Sequence, residues 1–138
     1  MKLIQWNIQW CRGVDGRVDP RRIVESARSF AEFDVLCLQE VAINFPALAG
    51  STGEDQAAVL SRLLPEFEAV YAAAVDAPGE HGLRRRFGNM IFSRYPVLQV
   101  FRHALPWPAD DDTPSMPRVA LEAVIATPLG ALRVITTH

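Results

Sequence analysis

The sequence has only two cysteines, Cys11 and Cys37, among 138 residues. Two thiols cannot build the multi-bridge framework of a small secreted scaffold. Both stand beside apolar residues, where a reduced thiol packs as a small hydrophobe. There is no run of about 18 apolar residues, which excludes a transmembrane helix. Positive charge is not in excess either: 14 Lys and Arg face 16 Asp and Glu, a formal net charge of −2. That balance argues against a domain that holds nucleic acid by bulk charge. It leaves room for an enzyme with a local basic patch. Lys2 leads at once into a strand-like pattern, without the separate apolar stretch and small-residue cleavage site of a secretion signal. The expected setting is reduced and cytoplasmic.

What is present suits a globular domain: 49% of residues are hydrophobic and 22% charged. A chain of this length is expected to form one domain with a sizeable core. Leu3 to Trp10 mixes alternation with a hydrophobic run, as a well-covered strand does. Asp19 and Pro20 read as the cap and first residue of a helix whose face is Ile23, Val24, Ala27 and Phe30. The run Val35-Leu36-Cys37-Leu38 predicts a buried strand ending at Glu40, with a loop from Val41 to Gly50. Ser51 and Glu54 have capping-box spacing ahead of a second helix, Ala57 to Leu64, which Pro65 stops. Strands are predicted at Phe67–Val75, Phe87–Ser93 and Val97–His103, with a turn over Asp76–Gly82. Pro106 to Pro117 reads as loop. Arg118–Ala126 and Ala131–His138 read as a hairpin around Pro128-Leu129-Gly130. The order of strand, helix, strand, helix and then strands predicts an α/β or α+β layered protein with helices outside sheet.

Three polar residues interrupt or end apolar strands. Asn7 sits between Trp6 and Ile8, although Asn is poor strand material. It is either an edge residue or an amide aimed at a ligand. Glu40 ends the Val35–Leu38 run, where open α/β sheets place their sites. It is either the first solvated loop residue or a carboxylate able to bind Mg²⁺, which takes oxygen ligands. His138 ends the last strand and is either structural or a general acid. Asp110-Asp111-Asp112 reads as a solvated loop, with substrate steering or a weak cation site as the alternative, and Arg84-Arg85-Arg86 as a solvated charge run or a phosphate contact. His81 and His103 read as surface residues. Trp10 and Trp107 suit core or loop packing, with base stacking as the alternative.

Taken together, five segments occur in one order: Gln5-Trp6-Asn7-Ile8-Gln9, Leu38-Gln39-Glu40-Val41, Phe87-Gly88-Asn89-Met90-Ile91-Phe92-Ser93-Arg94-Tyr95-Pro96-Val97, Pro117-Arg118-Val119-Ala120 and Ile135-Thr136-Thr137-His138. This resembles the endonuclease/exonuclease/phosphatase superfamily, with its DNase I-like fold. The resemblance spans the chain but covers only the first half or so of a family domain. It implies a four-layer α/β (α+β) sandwich, two mostly antiparallel β-sheets flanked by helices. Residues 1–138 would then be the N-terminal portion of a single domain.

The resemblance implies a metal-dependent phosphoesterase that hydrolyses a phosphodiester, with Mg²⁺ or Mn²⁺ as cofactor. Substrates of the family include DNA, RNA, phospholipid headgroups and small phosphoesters. Position by position, Asn7, Glu40 and His138 would be catalytic, with Glu40 and Asn7 at the metal. Arg118 and Asn89 would face substrate phosphate. The family's later Asp-x-Asn segment and final Asp-His pair would lie beyond His138, so the 138 residues alone are expected to be nearly inactive. The rival expectation is a catalytically inactive interaction module. A cysteine hydrolase using Cys11 or Cys37 is a further alternative. Burial within an apolar run counts against Cys37 as its nucleophile.

Overall fold

A computed structural model of the chain describes residues 1–107 and 115–138. The Asp110-Asp111-Asp112 cluster lies outside the described residues. The order of elements is β1 (Leu3–Asn7), α1 (Pro20–Phe30), β2 (Val35–Ile43), α2 (Gln56–Leu63), β3 (Glu68–Pro78), β4 (Arg84–Ser93), β5 (Val97–Ala104), β6 (Val119–Thr127) and β7 (Gly130–Thr136). The strands form two sheets, one in the order β1-β2-β4-β3 and one in the order β5-β6-β7. β1 and β2 run parallel, and every other pair is antiparallel. The result is the mostly antiparallel two-sheet sandwich expected, α+β in class.

α1 starts as its sequence dictates. The Asp19 carboxylate accepts from the backbone N–H of Arg21 and Arg22, and Pro20 takes the first helical position. Its buried face of Ile23, Val24 and Ala27 packs with Leu60 and Leu64 on Leu36, Leu38 and Val41 of β2. α2 starts later than the Ser51–Glu54 spacing predicts. Asp55 caps it instead, accepting from Ala58 N at 2.9 Å, while Ser51 Oγ accepts from Gly53 N and closes a turn. Asp is as good a cap as Ser.

β1 ends at Asn7 and not at Trp10. Gln9, Trp10 and Cys11 all adopt left-handed backbone, with φ of 47°, 44° and 61°. Such a run in non-glycine residues is strained and persists only where the surroundings fix it. Here Trp10 Nε1 donates to Ala49 O, and buried Gln56 donates its Nε2 to Trp10 O at 2.8 Å. Gln56 Oε1 in turn accepts from Ala42 N of β2 at 3.0 Å. Ile8 and Cys11 are both buried, which is why this turn imitates a strand in the sequence.

β2 continues to Ile43 where the sequence predicts a loop from Val41. A bulge is the reason. Leu38 pairs with Met90 and Val41 with Gly88, so Gln39 and Glu40 together oppose Asn89. β3 and β4 also run further than predicted, pairing as far as Pro78 and Arg84. Gly88 allows their close approach. A Cβ at that position would lie 1.9 Å from Ala72 O.

The two sheets pack face to face on Val35, Cys37, Ala72, Ile91, Leu121, Ala123 and Ile125. This layer is apolar along most of its length. Toward one end it turns polar, with Gln39, Asn89 and Thr136 all buried.

Candidate functional site

The polar end of the inter-sheet layer lies beneath three side chains from different strands. Asn7 closes β1. Glu40 sits in the β2 bulge, and His138 follows β7. The bulge decides where Glu40 points. Its φ is +63°, in the left-handed region, and the extra residue breaks the strict alternation of side chains. Asn7 Nδ2 then donates one hydrogen to Glu40 Oε1 at 3.0 Å and lies 2.9 Å from His138 Nε2. Asn7 Oδ1 accepts from Gln9 N at 3.0 Å, an Asx turn into the left-handed segment.

His138 has two ways to sit in this cluster. As neutral imidazole, Nε2 accepts the second Asn7 hydrogen. As imidazolium, Nε2–H donates, and Glu40 Oε1 is 3.4 Å away. The protonation state therefore chooses between amide and carboxylate as partner. The side chain of His138 is 34% exposed and that of Glu40 15%, so both reach solvent.

Around these residues runs a narrow cleft lined by Glu40, Phe87, Gly88, Asn89, Arg118 and His138. Sequence reading singled out Asn7, Glu40, Asn89, Arg118 and His138, and the fold brings all five to one place. Asn89 lies deepest. Its Nδ2 donates to Val119 O at 2.8 Å, which fixes the start of β6 next to Arg118. Thr137 Oγ1 donates to the same carbonyl at 3.3 Å.

Glu40 is the carboxylate of this cluster. Glu40 supplies carboxylate oxygen within reach of solvent, and Mg²⁺ is commonly held by one or two carboxylates plus waters and substrate phosphate. Asn7, as oriented, shows Glu40 an N–H, because its carbonyl oxygen is committed to Gln9. Among the described residues there is no group of three or more His, Cys, Asp or Glu placed to hold a metal.

Other residues considered from sequence lie elsewhere. Arg84 and Arg86 both pair with Asp76, at 2.5 Å and 3.5 Å, and Arg85 stacks over Phe45. Trp10 packs near Phe87, its indole N–H bonded to Ala49. His81 is exposed in the turn between β3 and β4. His103 is exposed, as read from sequence. It reaches Glu122 at 2.8 Å, and Arg133 grips the other oxygen of that carboxylate. Glu122 is only 4% exposed, on the face of its sheet turned away from the inter-sheet layer. Both cysteines are buried, and burial raises both thiols, Cys37 to about 12. Burial disfavours the thiolate in both, which counts against either as a nucleophile.

Sequence reading missed Gln39, Thr136 and Gln56. Each is a buried polar side chain whose partner is distant along the chain. Gln39 Nε2 donates to Thr136 Oγ1 at 2.7 Å, across 97 positions. The available signal was Gln39 itself, an amide in line with Val35 and Cys37 on an otherwise apolar face.

The description of the endonuclease/exonuclease/phosphatase family matches residues 4–132. Among solved structures, the chain is similar to an endonuclease/exonuclease/phosphatase from Beutenbergia cavernae, with 29% identity and a TM-score of 0.79. That match covers 99% of this chain and 37% of the other. A family protein from Leptotrichia buccalis shares the fold at 15% identity and a TM-score of 0.69, over 100% of this chain and 54% of that one. The human Nocturnin catalytic domain with bound sulfate anion shares it at 19% identity and a TM-score of 0.55, over 98% and 47%. The chain thus spans about a third to a half of the lengths of these structures. No curated protein matches it.

Proposed function

Because the chain belongs to the endonuclease/exonuclease/phosphatase family, we propose that its site takes part in hydrolysis of a phosphodiester with a divalent cation, Mg²⁺ or Mn²⁺, held by Glu40. The observation that carries this reading is the convergence of Asn7, Glu40 and His138 within hydrogen-bond reach, from three strands of two sheets. We propose further that these residues are the N-terminal portion of one domain, since relatives match the chain nearly end to end over only part of their own length.

The cation, when bound, polarises phosphate oxygens and offsets the charge that develops on them. Everything else is the work of side chains. Asn7 uses both amide hydrogens to hold Glu40 and His138 in one arrangement, which removes rotamer freedom that binding would otherwise have to remove. Neutral His138 accepts from Asn7. Once protonated, it is a donor for a phosphate oxygen or a leaving group. Arg118 lines the same cleft and offers a planar fork of donors matched to phosphate. Asn89 acts on this wall through the Val119 carbonyl it holds. The substrate proposed is a phosphoester in the broad sense, with nucleic acid, lipid headgroup and small molecule as its candidate classes.

The test is hydrolysis of bis-p-nitrophenyl phosphate by the protein containing this chain, with Mg²⁺, Mn²⁺ or EDTA. Turnover that needs the metal and disappears in Glu40→Ala supports the reading. Turnover indifferent to EDTA, or unchanged in Glu40→Ala, overturns it.

A further inference from the structure

The inter-sheet layer could have been apolar throughout, yet it carries a buried amide, Gln39, bonded to a buried hydroxyl, Thr136. Such a bond adds little net stability, and an apolar pair of the same shape does nearly as well. Stability is therefore a poor reason for it. Direction is a better one. Apolar contact is non-directional and lets packed sheets settle over a range of offsets. A hydrogen bond of 2.7 Å does not.

The location of this bond matters. Gln39 is the residue before Glu40, and Thr136 stands two before His138. The bond ties β2 of one sheet to β7 of the other at the point where both strands hand over to the site. It also flanks the left-handed backbone of Glu40, whose φ of +63° must be held by its surroundings. On the far side of Glu40, Gln56 holds Ala42 N and so clamps the other flank. Glu40 is thus pinned from both directions, and the Gln39 side carries the link to His138.

Resting on the reading of Glu40 and His138 as site groups, we propose that Gln39 and Thr136 are positioning residues. Their hydrogen bond sets the offset of the two sheets that puts His138 over the Asn7–Glu40 pair.

The experiment compares Thr136→Ser, Thr136→Val, Gln39→Leu and the double variant Gln39→Leu/Thr136→Val in the protein containing this chain. Two quantities are read. The first is the NMR signature of the Asn7 side-chain NH₂, which bonds Glu40 and faces His138 and needs no metal. The second is Mn²⁺ affinity, from paramagnetic broadening. Urea unfolding is followed alongside. The double variant is expected to regain stability lost in the single variants, since both polar partners are gone. It is nevertheless expected to lose the parental Asn7 NH₂ shifts and to bind Mn²⁺ about 10- to 100-fold more weakly, as removal of an outer support typically does. Thr136→Ser keeps the hydroxyl and is expected to stay near the parent in both readouts. A stable double variant with parental Asn7 signals overturns the proposal. If the double variant does not fold, Thr136→Val, which exchanges one oxygen for a methyl, decides by the same signals. Unfolding of both overturns it as well, because the bond is then needed for the fold itself. If the parent binds no Mn²⁺, the cation reading of Glu40 fails, while the Asn7 signature still decides the positioning role.

Discussion

The two ends of the layer between the sheets are built on opposite principles. At one end Val35 of β2 and Ile125 of β6 fill the space with hydrocarbon. At the other, Gln39, Asn89 and Thr136 are just as buried but meet through directed bonds to one another and to Val119 O. The apolar end is held by area and volume, and it tolerates exchange of one hydrocarbon for another of similar size. The polar end is held by geometry, and above it stand Asn7, Glu40 and His138. The contrast separates what holds the sandwich together from what tells it where to put its functional groups.

The largest expected loss lies where the polar end meets the neighbouring strand. Gly88→Val places a side chain against Ala72 O, and a Cβ there would lie 1.9 Å from that oxygen. Since β3 and β4 must separate, we expect at least about 3 kcal/mol of destabilisation in urea unfolding. A variant with parental stability would mean that the strands part freely. At the apolar end, Ile125→Ala should cost about 2–5 kcal/mol through lost burial and a cavity. Its Asn7 NH₂ signals should nonetheless match the parent, and a large change in them would erase the contrast between the ends.

Thr136→Val comes next, at about 1–3 kcal/mol, because it leaves the Gln39 amide buried without its acceptor. Here the Asn7 signals should move, the reverse of Ile125→Ala. The smallest effect on stability is expected for Glu40→Gly. Relief of the left-handed backbone roughly offsets the added freedom of the unfolded chain, so stability should stay level or rise by about 1 kcal/mol. Metal-dependent hydrolysis should vanish in the same variant. A marked fall in stability would show that Glu40 is there to hold the fold.

Much of this architecture could be read in advance. The Asp19-Pro20 cap, the buried Val35–Leu38 strand and the β6–β7 hairpin rest on local signals, and they were found where local chemistry put them. Asn7, Glu40 and His138 were legible because polar residues at the ends of apolar strands stand out, and because their segments occur in a familiar order. Local patterns failed where a distant partner decides. Nothing near Trp10 announces a left-handed turn, since Gln56 and Ala49 impose it from other parts of the chain. Nothing after Glu40 announces that β2 resumes, since the bulge is defined by where Gly88 and Met90 fall on β4. The Gln39–Thr136 bond is the extreme instance, its two partners being 97 positions apart.

Asn7 and His138 meet across 131 positions, which also orders events in time. Closing so long a loop carries an entropic penalty that grows with the logarithm of its length. Contacts of that span are favoured only after nearer ones have drawn the ends together. The β5–β6–β7 meander and the β1–α1–β2 unit can each form from neighbouring residues, whereas the Asn7–His138 contact waits for both. A chain arrested with either sheet unformed would have its hydrophobic layers in part but no arranged triad of Asn7, Glu40 and His138. The arranged site therefore depends on both sheets being in register.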